Sequence, residues 1–215
     1  MAADRPHPPE VPLVPLDRHD PALVRSWATT TASTFLGDHP TDADIAWRRE
    51  RTLDHRITNG VDEDQEVATF RSFDTDLSLP GGVVDVNAVS GITVLPTHRR
   101  RGLLTRWMVD EVARAHEAEQ VASVLVASEA PIYGRFGYGV SSVWCRWTLD
   151  AQRATWGPQV PFAPGSLRVV SGEQWAEAAQ PLHEVVRRRR AGAIGRAGSV
   201  FRWIGQLVPD LSEQD

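Results

Sequence analysis

The 215-residue chain sets 23 Lys and Arg against 28 Asp and Glu, for a net charge of −5, and is 41% hydrophobic and 24% charged. That composition is globular, and its acidity argues against a general nucleic-acid binder, which gains affinity by neutralising phosphates. No stretch approaches the roughly 18 apolar residues of a membrane helix, residues 1–15 lack a secretory signal's apolar core, and the single cysteine excludes an intrachain disulfide framework. The expectation is a cytoplasmic protein with neither a membrane nor a nucleic-acid partner.

Residues 1–15 hold Pro6, Pro8, Pro9, Pro12 and Pro15, the composition of a flexible, extended lead-in. Residues 20–56 read as helical, with Ala22, Leu23, Trp27 and Thr31 on one face and a break at Gly37, Asp38, His39 and Pro40. Asn59 and Gly60 read as a turn before a strand over 66–73. A long strand over 83–95 follows, with a bulge expected at Ser90 and Gly91. Residues 103–119 form the clearest helix, presenting Leu103, Leu104, Trp107, Met108, Val112 and Ala115 on one side. The apolar run 121–127 reads as a strand buried on both faces, so strand, helix and strand make a βαβ unit with parallel neighbours. A further strand is expected over 140–149, with Val143, Cys145, Trp147 and Leu149 on one face and Trp144, Arg146 and Thr148 on the other. The fold class is α/β, a mixed sheet with helices. A Pro- and Gly-rich linker over 151–166 leads to a helix over about 173–190 that begins a second unit.

The chemistry concentrates between the long strand and the clearest helix. Arg99, Arg100, Arg101 and Gly102 fall at that helix's N-terminus, where free N–H groups and the positive dipole end favour anions. Gly102 permits close backbone approach, and the guanidiniums add charge-assisted contacts. The reading is a pyrophosphate site; the competing one is a solvated basic loop.

The spacing Arg99-x-x-Gly102 resembles the acetyl-CoA signature of GNAT acetyltransferases, except that Leu104 takes the place of its final small residue. The run from Pro96 to Leu104, then Ala127, Ser128 and Glu129, then the run from Ile132 to Gly139, resembles the Eis (enhanced intracellular survival) family, which carries the same Leu. The resemblance implies a GNAT acyl-CoA N-acyltransferase fold over 16–150, followed by the truncated start of a second GNAT-like unit over 167–215. It implies acetyl-CoA as acyl donor, no metal, a homo-oligomer, and a primary amine such as an aminoglycoside or a lysine side chain as acceptor. Its pantetheine arm would pair with Ile92, Thr93 and Val94. Its pyrophosphate would rest on Arg100, Arg101, Gly102, Leu103, Leu104 and Thr105. Ser128 and Glu129 would line the acetyl end, and Tyr133 would be the general acid. A phenol is protonated at neutral pH and is able to give its proton to a departing thiolate. In the family the general base is the terminal carboxylate of a chain roughly twice as long, so this chain reads as a fragment. Glu129 and Asp85 are then the candidate bases within it.

Other candidates read as structural. Tyr138 is expected to pack, Cys145 to lie in the core, and His98 to serve the loop or a helix cap. Arg187, Arg188, Arg189 and Arg190 complement a helix end. Asp38, Asp42 and Asp44 make an acidic patch able to attract a cation or simply solvated. The histidines show no metal-ligand spacing. The alternative function is an acetyl-CoA-binding module with little turnover.

Overall fold

The structure, a computed structural model, describes residues 10–143, 145–150, 152–155 and 164–207. Its regular elements are β1 (Leu13–Pro15), α1 (Pro21–Thr34), α2 (Asp42–Arg51), β2 (Arg56–Asp62), β3 (Gln65–Leu79), β4 (Gly82–Val94), α3 (Leu103–Glu117), β5 (Ser123–Leu125), α4 (Gly172–Arg187) and α5 (Gly198–Leu207). Local chemistry sets the helix starts. The Asp20 carboxylate accepts from the N–H groups of Ala22 and Leu23, with Pro21 in the first turn of α1. Thr41 and Asp44 form a reciprocal capping box on α2, so Asp42 and Asp44 serve a helix start rather than a free acidic patch.

The strands lie in the order β1-β2-β3-β4-β5, antiparallel except for the parallel β4–β5 pair that the βαβ reading predicted. Alternation along β3 decides which face each helix covers. Phe70 stacks on Trp107 of α3, with ring centroids 5.6 Å apart. One residue back, Thr69 meets Thr31 of α1, while Trp27, Ile45 and Ile57 share the core beneath α1 and α2. The sheet is therefore covered on both faces. Glu111 of α3 is buried but bonded, accepting from Arg114 at 2.8 Å and Arg56 at 3.4 Å.

Several expectations need correction. Val11 is buried and β1 pairs with β2, so the lead-in is structured from residue 10; proline suits an edge strand. Asn59 and Gly60 lie inside β2, and the chain reverses at Glu63 and Asp64, whose φ of 48° and 62° fit a two-residue hairpin turn. Leu23 and Val112 are exposed. β5 is short and half-buried, because only Ser123, Val124 and Leu125 find partners on β4. Residues 140–143 and 145–149 form no strand and are exposed, Cys145 among them; no neighbouring strand lies against them among the described residues. Trp144 and residues 156–163 fall outside the described residues. Among the described residues no helix is long and apolar enough to cross a membrane.

The expected bulge is present. Between the pairs Thr69–Thr93 and Arg71–Ser90, the residues Gly91 and Ile92 together face Phe70, and Gly91 adopts φ 59°.

Beyond Ser72, β3 outruns β2, and the segment after α4 takes the free edge. Ser78 donates to the Ala193 carbonyl at 2.9 Å and Gly195 to that of Asp76 at 2.8 Å. Arg187, expected only to complement the dipole, is buried and bonds both Asp76 and Glu184 at 2.7 Å. Arg187→Ala strands two carboxylates that each keep some water, so the expected loss is about 2 kcal/mol, below the roughly 3–5 of a fully buried pair. A urea midpoint unchanged from the parent would contradict that anchoring.

Candidate active site

β4 and β5 stay paired only as far as Val89 and Leu125, and β4 then continues to Val94 with no strand on that side among the described residues. The parting opens a cavity of about 890 Å³ beyond the carboxyl ends of the parallel strands. Ile92, Thr93, Val94, Arg100, Arg101, Gly102, Leu103, Leu104, Thr105, Ser128, Glu129 and Tyr133 all line it, so the residues expected to hold acetyl-CoA and the expected general acid border one space. Asp85 does not line it; it lies exposed towards the far end of β4, opposite Asp76.

The basic loop is shaped by backbone and by one residue the sequence reading missed. A single 3-10 turn, Pro96–His98, precedes the arginines, and Arg100 and Gly102 take left-handed φ of 64° and 81°. Gly102 caps α3 with no side chain, so the first N–H groups of α3 remain open towards the cavity. Asp62, at the end of β2, accepts from Arg101 at 3.3 Å and pairs with the His98 Nε2 at 2.8 Å. The other ring nitrogen of His98 meets the Thr97 hydroxyl, so this histidine holds the loop. Arg101 is thereby partly neutralised, whereas Arg100 is exposed and has no bonded partner among the described residues. Asp62 gives no signal in the sequence, because only the β2–β3 turn brings it beside the loop.

Tyr133 sits between the short 3-10 turns Ala130–Ile132 and Gly134–Phe136. Burial, the Glu129 carboxylate and Tyr138 push its pKa above the usual phenol value. The hydroxyl is therefore protonated across the neutral range. Tyr138 packs edge-on against Tyr133, and its hydroxyl bonds Ser123 at 2.5 Å, as a structural tyrosine would.

A second residue missed from sequence is Arg71. It sits opposite Ser90 on β3, lines the cavity and is 9% exposed. Nearby, the His55 ring stacks on Phe73, and burial with the charges of Arg71, Arg51, Arg18 and Arg56 drives its pKa down to about 3. The free-chain value is near 6.5, so the unfolded state takes the proton first as pH falls. The associated stability is complete above pH 6.5 and is lost progressively towards pH 3. His55→Gln is expected to lose less thermal stability than the parent between pH 7.5 and 5. Glu66, raised by burial to about 7, titrates in both proteins and cancels from that difference. Equal losses would remove His55 from the acid response.

A sheet sandwiched by helices, with two parallel strands that part beside a basic helix N-terminus, defines the architecture of an acyl-transfer domain. The chain belongs to the acetyltransferase (GNAT) domain family, which it matches over residues 20–141. It is 37% identical over 179 residues to an uncharacterized N-acetyltransferase of Streptomyces avermitilis, covering 81% of this chain and 43% of that protein. It is 30% identical over 176 residues to the N-acetyltransferase Eis of Mycobacterium bovis, covering 79% and 43%. The crystal structure of Eis1 from Mycobacterium abscessus has the same fold, with a TM-score of 0.68 at 24% identity, covering 91% of this chain and 48% of that one. A predicted acetyltransferase from Clostridium acetobutylicum, solved with acetyl-CoA, follows at a TM-score of 0.53 and 18% identity, covering 64% and 96%. The chain spans less than half the length of the Streptomyces avermitilis and Mycobacterium bovis relatives.

Proposed function

We propose that this domain transfers the acetyl group of acetyl-CoA to a primary amine. The observation that carries the reading is the shared cavity: parted strands, an uncapped helix N-terminus with Arg100 beside it, and a protonated Tyr133 border one space. The free edge of β4 at Ile92, Thr93 and Val94 is suited to pair with the amides of the pantetheine arm. Arg100, Arg101, Gly102, Leu103, Leu104 and Thr105 suit the pyrophosphate, and Ser128 and Glu129 the thioester end.

In that arrangement the amine nitrogen attacks the acetyl carbon, and the carbon–sulfur bond breaks as the new carbon–nitrogen bond forms. The Tyr133 hydroxyl supplies a proton to the departing sulfur. Glu129 is the candidate within the cavity to take the proton the amine gives up. The acceptor classes in view are aminoglycoside-like and lysine-like amines. We read residues 167–215 as the opening of a second GNAT-like unit, a reading supported by α4 and α5 lying beyond the family match.

The test is acceptor-dependent release of CoA thiol from acetyl-CoA over a panel of primary amines. Turnover with at least one amine supports the reading. Tight acetyl-CoA binding with no turnover on any amine would leave a binding module instead.

A further inference from the structure

The Arg71 guanidinium is a buried charge with no counter-charge among the described residues. Nη2 donates to the Ser90 hydroxyl at 2.9 Å, and the group lies over the Phe73 ring, 5.8 Å from its centroid. Its Nε is buried and makes no hydrogen bond among the described residues. The charged groups that act on it are themselves cations, Arg51 and Arg48, both half-buried and held over tryptophan rings. Buried charges are normally paired, because an unpaired one forfeits its hydration. A guanidinium keeps its proton at neutral pH in spite of such surroundings.

Arg71 also occupies a particular end of the cavity. It neighbours the bulge: its Nε would lie 3.9 Å from a β-carbon placed on Gly91. Thr93, Val94 and Leu95 separate that bulge from the arginine loop, about 10 Å of extended chain. The cavity thus has two positive ends, and Arg100 serves only one of them. Glu129 and Tyr133 line the same cavity and give it an acidic and a proton-donating group.

We infer that the acceptor carries a carboxylate as well as its amine, and that Arg71 receives that carboxylate. The inference rests on the acetyl-transfer reading above for the identity of the other end. Nε is buried, so a carboxylate entering from the cavity meets the Nη hydrogens that Ser90 leaves free, and the planar guanidinium fixes their direction as lysine does not. Of the two acceptor classes, a lysine-like amine that bears its own carboxylate fits: its ammonium faces Glu129 and its carboxylate faces Arg71. A polycationic amine meets like charge from Arg71, Arg48 and Arg51, which selects against it.

The experiment titrates the CoA-saturated protein by calorimetry with N-acetylphenylalanine, its carboxamide, and spermidine as a carboxylate-free polycation. The parent protein is expected to bind the acid at least about tenfold more tightly than the carboxamide, the worth of one charge-assisted pair. Arg71→Gln should bring the two within about twofold, and Arg71→Lys should restore part of the gap. Equal affinity for acid and carboxamide, preference for spermidine, or binding of neither probe overturns the inference. If Arg71→Gln does not fold, the acid-to-carboxamide ratio of the parent decides alone. A separate titration with CoA keeps the two readings apart. Failure to bind CoA sinks the acetyl-transfer reading, while the probe comparison without CoA still reports on Arg71.

Discussion

Tyr133→Phe is expected to lower kcat by about 10²–10⁴-fold while leaving acetyl-CoA affinity nearly constant, because it deletes a proton donor and keeps the ring. The ring's packing against Tyr138 and its place on the cavity wall survive the change. The pH dependence follows from the raised phenol. Because burial and Glu129 hold its pKa above the ordinary value of 10.0, loss of the acid form lies beyond that pH, and the parent should show no alkaline limb from this group below it. Tyr138→Phe is the control. It breaks the bond to Ser123, at a cost of about 1 kcal/mol of stability, and should change kcat by only a few-fold. Steady-state kinetics of both variants decides between them. Lost affinity with preserved kcat in Tyr133→Phe would make that residue part of the binding wall.

What could be read from the sequence here was what short-range physics encodes. Apolar spacing along α3 located Leu103, Trp107 and Met108 in the core, and a helix following a strand predicted the parallel β4–β5 pair. The glycine at position 91 marked a bulge because a left-handed φ is cheapest there. The candidate site was visible because its loop is contiguous: three arginines and a glycine before a helix need no tertiary knowledge.

What stayed hidden depends on which strand lies beside which. Alternation over 140–149 is strand-like, yet without a partner strand a backbone ladder does not form, and Val143, Trp147 and Leu149 stay exposed. Asp62 and Arg101 are far apart in sequence, and their ion pair depends on the β2–β3 hairpin. Arg71 drew no notice in the sequence, because nothing local shows that α1 and α2 cover its face of the sheet. The physical root is shared: alternation says which residues share a face, not whether the face is wet. Arg187 misled in the same way, since a basic helix end suits the dipole whether or not Asp76 waits beneath it.

The second large effect is expected at the basic loop, where the structure separates two arginines that look alike in sequence. Arg100 is uncommitted, so Arg100→Ala should weaken acetyl-CoA binding by about tenfold or more, the worth of one charge-assisted contact at about 1.5–3 kcal/mol. Arg101 already shares its charge with Asp62, so Arg101→Ala alone should cost less. Removing it also leaves the Asp62 carboxylate with only His98, close to where phosphates are proposed to sit. The double variant therefore loses both contacts and uncovers a repelling charge, and its Kd should rise by about 10²–10⁴-fold. Salt should weaken binding to the parent and do so less steeply in the double variant, since fewer exposed charges remain to be screened. Calorimetry at low and high ionic strength measures both quantities. An unchanged Kd in the double variant would place the pyrophosphate elsewhere. A larger loss from Arg101→Ala than from Arg100→Ala would mean that Asp62 orients Arg101 for the ligand instead of neutralising it.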